Sequence, residues 1–573
     1  MLNEKKADIA FNENDSSLSV HFHNPSIKVS NMNSFVNVNG KLFKINLSKK
    51  SESKTDDRKN KEIVFSGHSD DLPLIITLYL ICYSDGNLIG LLGRLENDGT
   101  ETLNIYDFIL MKDARIDFGC ENDEIKAHIA NGIAHPNVVP LVVKDDNGKK
   151  DFHSNSNGMA TLVSKNGSIC IGFLTGKTNR PIISVNYLQE SDQIKVDGIA
   201  RFNGIKLPPK DCIETDLLVL RVDENPFEIL ESYANLIAEI EPPRKTKPTI
   251  GWCSWYAIRM PISHEFTMAN ARVVAERFRD LGMGIMLLDH GWQTGDICGD
   301  WDEDEKDYPK GLEGLTKDLS DLGLKLGIWI APTEVSGTSK LFKEHPNWVL
   351  KDKDGNPQET WKWYWAPNPP QYQMDATNPD AYKYIVDTFR RLTNKGSVYY
   401  KIDFIAGCAG ENLYPENPKA VRGWTPLQKA IQAVREGAGE DAYIRYCQTP
   451  PLLSIGLADG VFATSDTLDA GATTWNVLKD VFKMSSAQYY LSELYVHDAC
   501  DLSIRAHAGT EECRLRVMML ALSGSSIMFS DDLTKLPEER IIMMQQSIPP
   551  FPRPAKPINL FTSEMPDMWH IKC

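Results

Sequence analysis

The sequence predicts a multidomain protein: an N-terminal β-sandwich, a central (β/α)8 TIM barrel and the start of a C-terminal β domain. Three observations carry this. Up to about residue 222 strand follows strand with no long helical period. From residue 250 onward eight strand candidates alternate with helices over roughly 300 residues, the count and length of a (β/α)8 barrel. Past Gln546 a proline-rich connection, 547–554, leads into a further strand-like run at 568–571. The expected boundaries are 1–240 for the β-sandwich with a trailing helix, 241–248 for a linker, 249–548 for the barrel, and 549–573 for the beginning of an incomplete C-terminal β domain.

In the first domain Ser17–His23 alternates in polarity, and Asn39-Gly40 between 35–38 and 41–47 is hairpin chemistry. The run 74–83 leads into a turn at Asp85-Gly86, and 169–173 and 217–221 continue the series. The patch 48–61, rich in Lys, Ser and Asp, reads as a mobile loop. His21 and His23 make a His-x-His, a metal-binding pattern in some hydrolase barrels; inside a β domain it reads as a solvated strand face. Pro226–Ile240 is the first helical stretch, and 241–248, with three prolines, reads as the linker.

The barrel strands are expected at 250–255, 284–289, 324–330, 398–403, 442–447, 460–464, 494–496 and 526–529. Residues two apart on a strand face the same side, so Lys401 and Asp403 face one pocket, where a cation keeps a neighbouring carboxylate ionised. A strand-end salt bridge is the alternative. Polar and aromatic residues gather at the C-terminal ends of the other strands too: Trp252 and Trp255; Asp289, His290 and Trp292; Trp329 and Glu334; Cys447 and Gln448; Asp466 and Asp469; His497, Asp498 and Asp501. That face is where such barrels keep their active sites. Carboxylates with aromatic walls suit a carbohydrate, whose hydroxyls need hydrogen bonds and whose C–H faces stack on rings.

Composition narrows the classes. A net charge of −16 excludes the basic surface that nucleic acid or an anionic membrane requires. The first residues lack the apolar core of a signal peptide and no run reaches ~18 uncharged apolar residues, which points to a cytoplasmic protein. The 11 cysteines lie singly, with no Cys-x-x-Cys, and read as reduced thiols. No Gly-x-Gly-x-x-Gly or P-loop is present, and no cofactor or metal is expected.

Residues 250–550 resemble the catalytic barrel of glycoside hydrolase family 36 and its relative family 27, the α-galactosidase group. The matching text is Gly251-Trp252-Cys253-Ser254-Trp255, Asp289-x-Gly291-Trp292-Gln293, Gly327-Ile328-Trp329, Lys401-x-Asp403, the stretch from Gly460 to Asp466, Leu522-Ser523-Gly524-Ser525 and Ser530-Asp531-Asp532-Leu533. The resemblance implies a retaining mechanism with Asp403 as nucleophile and Asp466 as acid/base, about 5–5.5 Å apart. It implies sugar contacts from Asp289, His290, Trp292, Lys401, Trp252, Trp329, Cys447 and Phe462, with Lys401 also holding down the pKa of Asp403. Asp469 is a rival proton donor or a helix N-cap. Two positions depart from the family pattern: His290 replaces the second of two adjacent aspartates, and Phe462 replaces an arginine four residues before the acid/base. The grip on galactose is therefore rewritten, and Phe462 offers an apolar surface to a substituent such as an acetamido methyl. Trp361-Lys362-Trp363-Tyr364-Trp365 reads either as a sugar platform or as packing against the first domain. The partner expected is a glycoside or oligosaccharide substrate, hydrolysed as a terminal α-galactoside or galacto-configured relative. A raffinose-synthase-like transglycosylase, an α-N-acetylgalactosaminidase and a catalytically decayed sugar-binding protein are the alternatives. The family resemblance also raises a homo-oligomer.

Overall fold

In the computed structural model the chain divides into two compact units, residues up to Pro242 with Pro418–Trp424, and Pro243–Asn417 with Thr425 onward. The structure describes residues 7–54, 60–69, 71–131, 135–141, 143–145, 148–260, 262–365, 367–447, 449–462, 464, 466–467, 475–505, 508–551 and 553–572.

Seventeen described strands of the first unit join in one antiparallel network folded into two layers. Phe152–Ser164 links them: residues 152–157 pair with Arg180–Leu188 in one layer, and 159–164 pair with Gly167–Phe173 in the other. Between the two halves stands Gly158, at φ +106°, a backbone conformation that side-chain-bearing residues resist. The expected hairpin is present, with Val38 opposite Lys41 and both turn residues, Asn39 and Gly40, at positive φ. The expected loop at 48–61 is instead strand through Lys54. Asn46–Lys54 pairs with Lys61–Ser69, and Glu52 takes ion pairs from Lys49 and Lys61. Alternating charge keeps a strand at a sheet edge soluble, and composition alone mistakes it for a loop; residues 55–59 lie outside the described residues. His21 and His23 bond Ser26 and Asp8, at 3.2 and 3.1 Å, as a solvated strand face does. The helix Pro226–Ile240 is capped by Asn225 and buries Ile229, Leu230, Tyr233 and Ile237.

In the second unit eight parallel strands form the barrel: Ile250–Cys253, Ile285–Leu288, Lys325–Ile330, Ser397–Ile402, Tyr443–Tyr446, Gly460–Phe462, Val496–Asp498 and Ile527–Phe529. The first seven pair in order, and the first also pairs with the eighth. The ring closes between the seventh and eighth through Leu502, whose amide donates to Met528 and whose carbonyl accepts from Ser530, each at 2.7 Å. Cys253, Leu287, Tyr399 and Met528 pack as a barrel core layer. Gly251 belongs to that layer because a Cβ there would stand 2.8 Å from Ile285 and from the Met528 sulfur. The seventh strand lies two residues later than the sequence places it, because Tyr489–Glu493 winds as a 3-10 helix first. At the C-terminal end Lys556–Pro557 pairs with Trp569–His570. Among the described residues no helix is long and apolar enough to cross a membrane.

Candidate active site

Strand parity sorts the candidate residues. Cys253 faces the barrel interior, so Trp252 faces outward: its ring lies 6.1 Å from Phe266 on the surrounding helix and its Nε1 donates to the Asp531 carbonyl. The structure thus takes Trp252 away from the other candidates. On the fourth strand Tyr399, Lys401 and Asp403 share the inward face, while Tyr400 packs on Phe389 outside. By the same alternation Arg445 and Cys447, Phe462, and Asp498 turn inward, whereas His497 turns out toward the helices. Gln448 and Asp469, with the helix onset expected at residue 470, lie outside the described residues.

The floor of the pocket is a buried chain of charges. Lys401 Nζ donates to Asp289 at 2.9 Å and to Asp501 at 3.0 Å; Arg445 Nη1 bonds Asp501 and Asp498, each at 3.0 Å. Burial opposes the charges of Lys401, Arg445, Asp498 and Asp501, but the partners outweigh it at three of them, Arg445 being held protonated by Asp498 and Asp501. Asp289 and Asp501 hold Lys401 protonated, and Arg445 and Lys401 hold Asp501 well below the usual carboxylate range. Cys253 Sγ, Asp289 and Asp501 cluster closely enough to bind a metal. The Lys401 ammonium already occupies the position between the two carboxylates, supplying the positive charge that a metal would bring. Ser254 Oγ and the His290 amide fix the neighbouring Asp289, accepting from its amide and donating to its carboxylate respectively, each at 2.9 Å.

Asp403 stands above this floor. Its Oδ2 accepts from Trp329 Nε1 at 3.1 Å and its Oδ1 from the Phe404 amide at 2.9 Å. Lys401 does not bond Asp403, so the alternative of a strand-end salt bridge between them is not realised. Burial raises the pKa of Asp403, and Lys401, acting through space, only moderates the rise. Asp466 is reached by solvent yet ringed by protein, and this raises its carboxyl to about 6, with Lys401 opposing and Asp403, Asp501 and Asp289 adding to the rise.

The wall is aromatic. His290 is buried against Trp365, stacked at 5.1 Å, and against the edges of Trp329 and Trp363 at 4.9 and 5.2 Å; Trp255 stands 6.3 Å away. Burial pushes its pKa down to about 4, so the ring is neutral at ordinary pH. Among the described residues neither of its ring nitrogens makes a well-formed hydrogen bond, the Asp296 backbone offering only a weak one, and Trp363 Nε1 has no partner. Trp292 supports the wall from behind, donating to the Trp329 carbonyl at 2.8 Å and stacking on Trp301. The 361–365 run thus forms part of this wall. Phe462 and Cys447 pack with Tyr256, Cys500 and Trp255, and the Arg445 guanidinium lies 5.7 Å from the Phe462 ring.

Sequence reasoning missed Arg445. Its signal was available, as a charged residue at the inward parity of an otherwise apolar strand, two before Cys447.

Comparison with known proteins agrees with this architecture. The fold is that of family 36 α-galactosidases: the solved structure of AgaA from Geobacillus stearothermophilus superposes with a TM-score of 0.65 at 18% identity, over 90% of this chain and 74% of that one. The Thermus thermophilus enzyme TtGalA, in complex with p-nitrophenyl α-D-galactopyranoside, superposes at 0.58 and 19% identity, over 87% and 94%. Residues 233–410 match the Melibiase family model. In sequence, the curated α-galactosidase AgaA of G. stearothermophilus is 27% identical over 358 residues, 57% of this chain. The chain spans 45% of that relative's length.

Proposed function

We propose that this chain is a retaining, exo-acting α-glycosidase for terminal α-galactosides or galacto-configured relatives. The observation that carries the reading is the unequal pair of carboxylates at one barrel mouth. Asp403 is oriented by two donors, and Asp466 sits where its proton is retained to about pH 6. In the first step an Asp403 oxygen bonds to the anomeric carbon as the bond to the leaving oxygen breaks, and Asp466 gives that oxygen its proton. In the second, Asp466 takes a proton from water, whose oxygen displaces Asp403 and frees the sugar. Lys401 and Asp289, already bonded to each other, present a fixed charge pattern to ring hydroxyls. Neutral His290 offers one donor and one acceptor, the complement of a hydroxyl. The strap 361–365 walls the pocket on one side, which favours a terminal residue over the interior of a chain. The galactoside and raffinose complexes of the fold relatives support the sugar class.

Hydrolysis of aryl α-galactoside, α-N-acetylgalactosaminide, β-L-arabinopyranoside and α-glucoside tests this. Turnover of a galacto-configured member is expected, falling by about 10⁴-fold or more in Asp403→Asn, since loss of an essential nucleophile costs on that scale. Because Asp466 acts as an acid, it works protonated. The descending limb of kcat/KM should therefore lie near pH 6 and vanish in Asp466→Ala. Preference for the α-glucoside, or full activity in Asp403→Asn, would refute the assignment.

A further inference from the structure

Glu334 is a buried acid that the chemistry above leaves without a task. It lies in a small antiparallel sheet beside the barrel mouth, formed by Glu334–Ser336, Pro370–Gln373 and Trp361–Lys362. The register places Glu334 opposite Gln373, and Gln371 opposite both Ser336 and Trp361. Residues 371 and 373 share a face, so Glu334 and Trp361 lie on that same face from the two outer strands, on either side of Pro370–Gln373. Their side chains meet: Glu334 Oε2 accepts from Trp361 Nε1 at 3.1 Å, and Oε1 lies 2.5 Å from the Gln373 amide.

Trp361 continues the connection toward the nucleophile. Its indole stacks on Phe404 at 5.5 Å and 17°. Phe404 holds a left-handed backbone, φ +50°, directly after Asp403, and its amide grips Asp403 Oδ1. On the other side of Trp361 the same strap carries Trp363 and Trp365 onto His290. Gln373 closes the frame from below, since a Cβ on Gly407, in the turn after Asp403, would stand 2.6 Å from its amide.

We propose that Glu334 is a positioning residue: through Trp361 and Gln373 it latches the 361–365 strap over the pocket and, through the Trp361–Phe404 stack, sets the backbone from which Asp403 projects. The consequence for catalysis rests on the reading of Asp403 as nucleophile; the latch itself does not. Burial pushes Glu334 up to about 8, so it carries its proton at neutral pH. With the Gln373 amide turned over, that proton donates to Gln373 Oε1, which otherwise has no partner among the described residues. A neutral latch adds no charge beside Asp403.

The strap contains its own reporter. Lys362 is exposed between Trp361 and Trp363, and trypsin cuts after it only when the strap opens. Cleavage at that bond, read by mass spectrometry, is expected to be about tenfold or more faster in Glu334→Ala than in wild type. Glu334→Gln, the isostere of the protonated acid, should restore most of the protection. Trp361→Phe keeps the stack on Phe404 but loses the N–H, and should open the strap to nearly the same extent. In turnover of the aryl galactoside, Glu334→Ala should lower kcat about 10–100-fold, the cost of a misplaced reacting group, with rescue in Glu334→Gln. The double variant Glu334→Ala/Trp361→Phe should be no worse than Glu334→Ala alone. Unchanged cleavage at Lys362 in folded Glu334→Ala, or losses that multiply in the double variant, would overturn the proposal. If Glu334→Ala does not fold, the volume-conserving Glu334→Gln and Trp361→Phe decide it by the same cleavage. A wild type that turns over no glycoside refutes the catalytic reading while the proteolysis still decides the latch.

Discussion

The floor and the wall of this pocket are built on opposite rules. On the floor Lys401, Asp289, Asp501, Arg445 and Asp498 are joined as charges through Lys401 Nζ and Arg445 Nη1, while Arg445 Nε and Nη2 find no partner among the described residues. On the wall, which carries no charge, His290 and Trp363 keep buried polar atoms that no described residue satisfies with a well-formed hydrogen bond. A buried polar group without a partner costs free energy unless a ligand or water supplies one. The contrast assigns the tasks: the floor fixes an electrostatic field before substrate arrives, and the wall does the reading when it does.

The largest effect should come from breaking the floor. Lys401→Met leaves Asp289 and Asp501 facing each other in the interior without their shared cation. Removing one member of a buried ion network typically costs about 3–5 kcal/mol, because the remaining charges stay buried. Denaturant unfolding should show a loss of that size, with turnover falling as well. A Lys401→Met protein as stable as wild type would mean that the floor is not an interdependent network.

A wall substitution should separate differently. His290→Ala is expected to lower kcat/KM by about 2–3 kcal/mol, or 30- to 150-fold, against a sugar whose hydroxyl the ring bonds, with a smaller loss against an analogue lacking that hydroxyl. Equal losses on both sugars would assign His290 to packing alone.

The two regions also differ in how well the sequence reveals them. Parallel strands ending in Asp289, Lys401 and Asp403 are legible because apolar runs and strand parity are local. Arg445 and Asp501 meet Lys401 only after the barrel closes, so no spacing announces their bonds. Parity also removes Trp252: its place in a tryptophan-rich motif marks it as important, but one residue's shift along a strand points it at Phe266 instead of the pocket. The polar strand Asn46–Lys54 was hidden for a related reason, since an edge strand's composition resembles a loop's until its partner is known. The strap 361–365 showed its aromatics plainly, while its direction depended on the register with Pro370–Gln373.

Protonating the wall gives the finest test of the comparison. The His290 pKa is depressed from 6.5 to about 4 in the folded chain. The unfolded chain therefore binds a proton that the native chain refuses between those values. The ring's contribution to stability is thus complete above about pH 6.5 and is lost as pH falls toward 4. From pH 7 to pH 5 the loss is about 2 kcal/mol at this single site. Glu334 and Asp466, whose pKa values are raised on folding, push the other way as pH falls, and His497, buried neutral outside the barrel, adds a second loss of the same sign. The raw curve mixes these with further buried acids raised on folding, Asp403 and Asp498 among them, so the informative quantity is the difference between wild type and His290→Asn, which cannot take up the proton. That difference should narrow by about 2 kcal/mol between pH 7 and pH 5, because only wild type pays for protonation at this position. A pH-independent difference would show that the ring is not held neutral by the aromatic wall, and the division between a charged floor and an uncharged wall would fall with it.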